Sequence, residues 1–119
     1  RAVMEGVAFA IRQCGEVVGR VGSDRVLITG GITQSQVWTQ ILADVLGTSL
    51  QIRELKDASC VGAAAIAAKA LGITEDTNSL VSQIAGKITI KQPDQRAAAS
   101  YTDVFLHYAR WAERIALAD

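Results

Sequence analysis

Apolar residues recur at steps of three and four along the first part of the chain, which is the spacing of one face of an amphipathic helix. This stripe consists of Val3, Val7, Ile11, Cys14, Val18 and Val21. We predict a helix that buries the stripe and that ends at Gly22 and Ser23.

Two short runs rich in branched apolar residues predict buried strands, and a helix follows each of them. The first strand covers residues 25–29, and the second is marked by Leu50, Ile52 and Leu55. The helix between them begins near Ser35 and ends at Gly47, with an inner face of Val37, Trp38, Ile41, Leu42 and Val45. A third helix over 60–71 has Asp57 or Ser59 as its cap and closes at Gly72.

The last part of the chain is mainly helical. It predicts a short helix over 79–85 ended by Gly86, an extended piece over 87–90, and a final helix over 95–117. The apolar stripe of this last helix is Tyr101, Val104 or Phe105, Tyr108, Ala112 and Ile115. The order of elements indicates an α/β fold with short parallel strands joined by a right-handed crossover. Two short strands make a thin sheet with open edges, so we expect part of the sheet to lie outside this chain.

Composition allows one domain and excludes several classes of partner. The 119 residues are 50% hydrophobic and 20% charged, with 12 basic and 12 acidic residues, so a basic nucleic-acid surface is not expected. The longest apolar run, residues 61–68, is too short to span a membrane. Cys14 and Cys60 have no metal-binding or CxxC spacing, and we predict buried, reduced thiols in a cytoplasmic protein. The chain starts inside a helix at Arg1, so we expect a fragment.

A glycine turn joins the first strand to the second helix. Its residues are Thr29, Gly30, Gly31, Ile32, Thr33, Gln34 and Ser35. Ligands of open α/β sheets bind outside the carboxyl ends of strands, where glycines let a ligand approach the main chain and a helix N-terminus favours anions. A turn without any ligand is the alternative, because the segment matches neither a GxGxxG fingerprint nor a Walker loop.

Four segments together resemble the FGGY family of carbohydrate kinases. Residues 1–9 resemble the family's "RAvlEGvaf" helix, and residues 30–47 resemble its "GG-x-x-x-S-x-x-W-x-Q-i-x-A-D-v-x-g" block. Residues 59–65 are similar to its "a-a-x-G-A-A" helix, and Gln92-Pro93-Asp94 with residues 97–101 resembles the entry to its last helix. The order and spacing of the motifs cover nearly the whole chain. The "Ser-Cys-x-Gly-Ala" stretch, residues 69–72 and the Gln-Pro tail look most like gluconate kinases, with xylulose kinases next.

The resemblance implies a partial ribonuclease-H-like domain of the actin and hexokinase type. Residues 1–119 would be the later part of the second, nucleotide-binding domain, and three antiparallel strands would precede Arg1. It implies ATP and Mg²⁺ as cofactors and a sugar or sugar acid as substrate. Gly30 and Gly31 would lie against adenosine, Ile32 beside the adenine, and Ser35 within reach of the base. The family's catalytic aspartate and metal ligands would lie upstream, so we assign no catalytic or metal residue and expect this fragment alone to be inactive.

Other interpretations stay open at this point. The chain could be a non-enzymatic α/β module that associates through its strand edge, and a homodimer is possible. An acyl-CoA dehydratase activator would need cluster-binding cysteines, which Cys14 and Cys60 do not provide. Glu5 could bond to a loop or serve the helix dipole, and Asp44 near a helix C-terminus suggests a specific partner or a solvated role. His107 is predicted to lie on a helix surface.

Overall fold

The computed structural model describes residues 1–19, 26–55 and 57–116. The helices are α1 Ala2–Val17, α2 Gln36–Leu46, α3 Ala58–Ala70, α4 Thr77–Ile84 and α5 Gln95–Ala116. The strands are β1 Val26–Ile28, β2 Leu50–Arg53 and β3 Ile88–Lys91, and a 3-10 helix spans Gly31–Gln34. The predicted order of helices and strands is therefore confirmed. The predicted helix end at Gly22 and Ser23 is wrong, because α1 already ends at Val17 and Gly19 takes a left-handed φ of 65° just after it. Val21, Gly22, Ser23, Arg25 and Leu117 themselves lie outside the described residues.

The strands form one mixed sheet in the order β1-β2-β3. β1 and β2 are parallel, with Val26 opposite Leu50 and Ile28 opposite Ile52. The parallel pair predicted from the alternation of strands and helices is therefore confirmed. The extended piece predicted near residues 87–90 is the strand β3, which runs antiparallel to β2 and makes β2 the central strand.

One face of the sheet packs against helices α1, α2 and α5. The core contains Ala8, Phe9, Ile41, Leu42, Ala43, Val45, Leu50, Tyr101 and Phe105, with Val26 and Ile28 packed against it. The alternate residues of the strands point to the opposite face, as the twofold repeat of a strand requires. On that face Leu27, Ile88 and Ile90 are between 49% and 59% exposed. The sheet is thus covered on one side and open on the other within the described residues.

Aromatic contacts join α1 to α5. The Phe9 ring lies 6.0 Å from the ring of Tyr101 in an edge-to-face arrangement and 5.4 Å from that of Tyr108. The guanidinium of Arg12 lies 4.2 Å from the centre of the Phe105 ring and donates a hydrogen bond of 3.0 Å to the carbonyl of Val45. Arg12 lies on α1 and contacts both the end of α2 and the middle of α5, so it joins the three helices.

The predicted burial of the α1 stripe is wrong in this structure. Val3 is 81% exposed, and Val7 and Ile11 are about 40% exposed, because α1 turns Ala8 and Phe9 toward α2 and α5 instead. Cys14 lies on the exposed stripe and Cys60 on the sparsely covered helix α3, so both thiols are exposed rather than buried. Three further residues predicted to face inward, Val37, Val104 and Ile115, are also exposed.

Glycines end two of the helices as predicted. Gly47 after α2 has φ 62° and Gly72 after α3 has φ 68°, both in the left-handed region. Asp57 occupies the N-cap of α3 but has φ 50°, and its side chain makes no capping bond. Within the described residues, no helix has the length and apolarity needed to cross a bilayer.

Helices α3 and α4 form an excursion between β2 and β3. They pack mainly against each other, and among the residues of α3 only Ala65 is buried. The excursion closes at its base, where the N–H of Gly86 donates a hydrogen bond of 2.9 Å to the carbonyl of Glu54. A Cβ atom on Gly86 would lie 2.9 Å from that carbonyl oxygen, so this close approach requires glycine.

Candidate functional site

The glycine turn lies at the carboxyl end of β1 and leads directly into α2. Because β1 and β2 are parallel, their carboxyl ends lie on the same side of the sheet. Open α/β sheets bind their ligands just outside the carboxyl ends of their strands. The structure therefore places Gly30, Gly31, Ile32 and Ser35 together in one turn at the carboxyl end of β1.

Both glycines leave the main chain of the turn exposed, but only one of the two positions requires a glycine. Gly30 has φ 87° and ψ −163°, a conformation that is essentially restricted to glycine. Gly31 has no positive φ, and a Cβ atom on either glycine would meet no other atom within 4 Å. The backbone thus explains the glycine at position 30. Nothing in the described residues requires one at position 31, so the open space beside it is available to a ligand.

Hydrogen bonds within the turn fix its shape. The Thr33 hydroxyl donates to the Gly30 carbonyl at 2.6 Å, and the Thr33 N–H donates to the same oxygen at 3.1 Å. The Ser35 N–H donates to the carbonyl of Ile32 at 3.2 Å. Ile32 is half-buried and packs against the core, so its side chain anchors the turn.

Ser35 is the N-cap of α2. Its hydroxyl oxygen accepts a hydrogen bond of 3.3 Å from the N–H of Trp38. The cap uses the oxygen as an acceptor, so the hydroxyl hydrogen can still be donated to a ligand. Sequence analysis did not foresee the cap, although a serine before an apolar helical run is its usual signature.

A network of hydrogen bonds joins α2 to the start of α5. We call it the Asp44 clamp, and it consists of Gln40, Asp44, Gln92 and Asp94. Asp44 is 6% exposed, and its Oδ1 accepts from the N–H of Asp94 at 2.7 Å and from Nε2 of Gln40 at 2.8 Å. The Gln40 amide also donates to the Gln92 carbonyl at 3.1 Å. The specific partner suggested for Asp44 is therefore Asp94, and a solvated role is wrong.

A second polar cluster joins the start of α1 to α5. The Tyr101 hydroxyl donates to Oε1 of Glu5 at 2.6 Å, and Nε of Arg1 lies 2.8 Å from the same oxygen. The bond from Tyr101, then the bond from Arg1, holds the pKa of Glu5 below its ordinary value of 4.5. Burial and then the bond to Glu5 raise the pKa of Tyr101 above 10.0. Glu5 thus serves the packing of α1 against α5. Its partner, Tyr101, was not predicted from the sequence.

The remaining polar candidates form no reactive cluster. His107 lies exposed on α5, as predicted. In residues 1–19, 26–55 and 57–116, no three His, Cys, Asp or Glu side chains are grouped as a metal site would require. Two buried donors, Nε1 of Trp38 in the first turn of α2 and Nε of Arg53 at the end of β2, have no acceptor within the described part of the chain.

Comparison with known proteins identifies the family. Residues 1–71 match the model of the FGGY family of carbohydrate kinases, C-terminal domain. The chain is 32% identical over 117 residues to a probable L-xylulose kinase of Haemophilus influenzae, covering 97% of this chain and 23% of that protein. It is 31% identical over 108 residues to a gluconokinase of Bacillus licheniformis, covering 85% of this chain and 20% of the relative.

Solved structures show the same fold. The xylulose kinase of Rhodospirillum rubrum superposes with a TM-score of 0.77 at 28% identity, over 97% of this chain and 24% of that one. The gluconate kinase of Lactobacillus acidophilus superposes with a TM-score of 0.78 at 23% identity, over 98% of this chain and 24% of that one.

The chain belongs to the FGGY family of carbohydrate kinases. Its α/β architecture is that of the corresponding part of these solved kinases, which confirms the α/β fold class expected from the sequence. It spans about a quarter of the length of the relatives it matches.

Proposed function

We propose that this chain supplies the adenosine-binding wall of an ATP-dependent carbohydrate kinase. The complete enzyme transfers the γ-phosphate of ATP to a hydroxyl of a sugar or sugar acid, with gluconate favoured and xylulose next. The observation that carries the proposal is the exposed main chain of Gly30 and Gly31 at the carboxyl end of a parallel strand. A flat purine nucleoside can approach such a surface without meeting a side chain.

Each residue of the turn has a distinct part in this proposal. Gly30 and Gly31 offer bare main chain to the adenosine, and Ile32 presents an apolar side chain beside the adenine. Ser35 donates its hydroxyl hydrogen to the base while its oxygen caps α2. The support for these parts is the geometry of the turn, in which the glycines are exposed and Ile32 is half-buried.

The chemistry of phosphoryl transfer requires groups beyond this chain. A carboxylate that accepts the proton of the sugar hydroxyl and ligands for Mg²⁺ are needed for the reaction. The chain spans about a quarter of the length of its relatives, so most of the side chains of the complete enzyme lie elsewhere. We propose that the catalytic aspartate and the metal ligands are among them and expect this chain alone to be inactive.

The exposed faces of the chain support a larger enzyme around it. Its accessible surface is 8353 Å², whereas a compact protein of 12.6 kDa exposes about 6,200 Å². Its radius of gyration is 17.1 Å, against about 13.5 Å for a compact domain of this length. We propose that antiparallel strands of the same domain pair with the free edge of β1 and cover the exposed stripe of α1.

A direct test compares two substitutions in the 3-10 helix of the complete kinase. Gly31→Leu fills the open space beside the turn, and we expect the KM for ATP to rise at least about tenfold, equivalent to about 1.4 kcal/mol of lost binding. Gln34→Ala alters an exposed residue of the same helix and is the matched control. Steady-state kinetics with ATP varied at saturating sugar measure the effect. An unchanged KM in Gly31→Leu would show that the nucleotide lies elsewhere.

The open edge of β1 supports a second candidate function, an interaction module that recruits a partner or a second copy. β1 is the outer strand of the sheet, and among the described residues it pairs with β2 alone. Sedimentation of the purified chain separates the candidates. A tight dimer would favour pairing of strand edges, and a monodisperse monomer would count against it.

A further inference from the structure

We infer that Asp44 is a positioning residue for nucleotide binding, because the Asp44 clamp fixes the helix that carries the glycine turn. This inference rests on the proposed function of that turn. Asp44 does not touch the site itself, since it lies in the last turns of α2 and the glycine turn precedes the first. Its effect would be transmitted through the helix.

The hydrogen bonds of the clamp and its neighbours link three segments of the chain. The N–H of Asp94 donates to Asp44, and the Asp94 side chain in turn caps α5 by accepting from the N–H of Ala97 at 2.9 Å. Gln92 accepts a second bond on its side-chain oxygen, from the Ser49 hydroxyl at 2.6 Å. The C-terminal half of α2, the loop before β2 and the start of α5 are therefore held in one register.

Directional bonds are needed because the remaining contacts of α2 are apolar. Ile41, Leu42 and Val45 are at most 2% exposed, and their packing stabilises the helix without fixing its rotation sharply. Hydrogen bonds weaken steeply when their angle changes, so the bonds from Asp94 to Asp44 and from Gln40 to the Gln92 carbonyl restrict rotation and sliding of α2 along α5. A carboxylate this deeply buried also costs free energy unless both donors stay in place.

The other end of α2 is tied to the glycine turn. Thr39 is 1% exposed, and its hydroxyl donates to the carbonyls of Ser35 at 3.1 Å and of Gln36 at 3.0 Å. The Ser35 side chain caps the same helix. Because α2 is a single regular helix between the two ends, a shift at Asp44 moves the turn with it.

The test uses Asp44→Ala and Asp44→Asn in the complete kinase. Alanine removes the acceptor, and we expect the KM for ATP to rise roughly three- to tenfold while kcat and the KM for sugar stay close to wild type. Asparagine keeps a carbonyl oxygen with two lone pairs, so Asp44→Asn should restore the KM to within roughly twofold. A purely structural role would lower stability without this split between the two substrates.

Tyr101→Phe is the matched control, since it breaks the part-buried hydrogen bonds of Tyr101 with Glu5 and Arg1, which do not involve α2. It should lower the unfolding temperature and leave the KM for ATP unchanged. If Tyr101→Phe raises that KM as much as Asp44→Ala does, or if Asp44→Ala leaves it unchanged, the inference is overturned.

Hydrogen exchange without nucleotide separates this inference from the proposed function. Asp44→Ala should speed exchange of the amides of Thr33 and Ser35, which are bonded within the turn, and Tyr101→Phe should not. Unchanged exchange at these amides refutes positioning by Asp44, whatever the enzyme binds. If Asp44→Ala speeds this exchange but the wild-type enzyme shows no ATP-dependent activity, the proposed function is refuted. The inference that the Asp44 clamp positions the turn is then still supported.

Discussion

The bond between Tyr101 and Glu5 gives a prediction whose size and pH dependence both follow from the structure. Tyr101→Phe removes a hydroxyl that donates to a carboxylate at 2.6 Å while keeping the ring against Phe9. A hydrogen bond to a charged group contributes about 1.5–3 kcal/mol. Tyr101 is 7% exposed but the Glu5 side chain is 24% exposed, so we expect a loss around the lower end of that range, about 1–2 kcal/mol.

The sign of the pH dependence follows from the two pKa shifts. The pKa of Glu5 is lowered, so its bond contributes stability above the ordinary value of 4.5 and loses it as the pH falls through the folded-state pKa. The pKa of Tyr101 is raised, so its contribution is complete below 10.0 and is lost as the pH rises through the folded-state value. Wild type and Tyr101→Phe should therefore differ most near neutral pH and converge in acid and in strong base.

Urea unfolding at several pH values measures the difference. Tyr108→Phe is the control, because Tyr108 lies on the same helix and packs against Phe9, and its hydroxyl has no hydrogen-bond partner within the described residues. We expect Tyr108→Phe to change the free energy of unfolding by less than about 0.5 kcal/mol. Equal losses in the two variants, or a loss in Tyr101→Phe that is the same at pH 3 and pH 7, would refute the reasoning.

Four further substitutions test backbone conformation by thermal unfolding. Gly30→Ala should destabilise the protein by about 1–3 kcal/mol because of its φ of 87°, whereas Gly31→Ala should be neutral or slightly stabilising, and equal effects would contradict the turn geometry. Gly86→Ala should lower the unfolding temperature, because its Cβ would lie 2.9 Å from the Glu54 carbonyl oxygen. An unchanged temperature would show that Gly86 does not approach Glu54 this closely. Asp57→Gly should raise stability by about 1 kcal/mol, since it relieves a left-handed residue that makes no capping bond, and a loss would reveal a role for the carboxylate.

The sequence predicted the local elements well, because each is marked by its own residues. Helix α2 has a serine at its start and a glycine with φ 62° at its end, and both signals act over a few residues. The parallel pairing of β1 and β2 also followed from the single helix between them. The position of the glycine turn depends on these two features alone, so it too could be predicted.

Burial was harder to predict, because it depends on what surrounds each element. The stripe of α1 has the spacing of a buried face, yet this chain buries Ala8 and Phe9 on another side of the helix. Spacing along one helix does not say which neighbour covers it, so Cys14 was assigned to the interior and is exposed. The bond from Asp94 to Asp44 joins residues far apart in sequence, and no local pattern announces such a pairing.

The bond between Gly86 and Glu54 has a consequence for how the chain tolerates change in length. The chain leaves the sheet after Glu54 and returns to it at Gly86, at nearly the same point, and helices α3 and α4 between them pack mainly on each other. Lengthening a flexible surface connection costs little, because closure entropy grows only slowly with the number of residues. Added residues beside the exposed Glu75, in the bend between α3 and α4, would therefore enlarge the excursion while β2 and β3 kept their register.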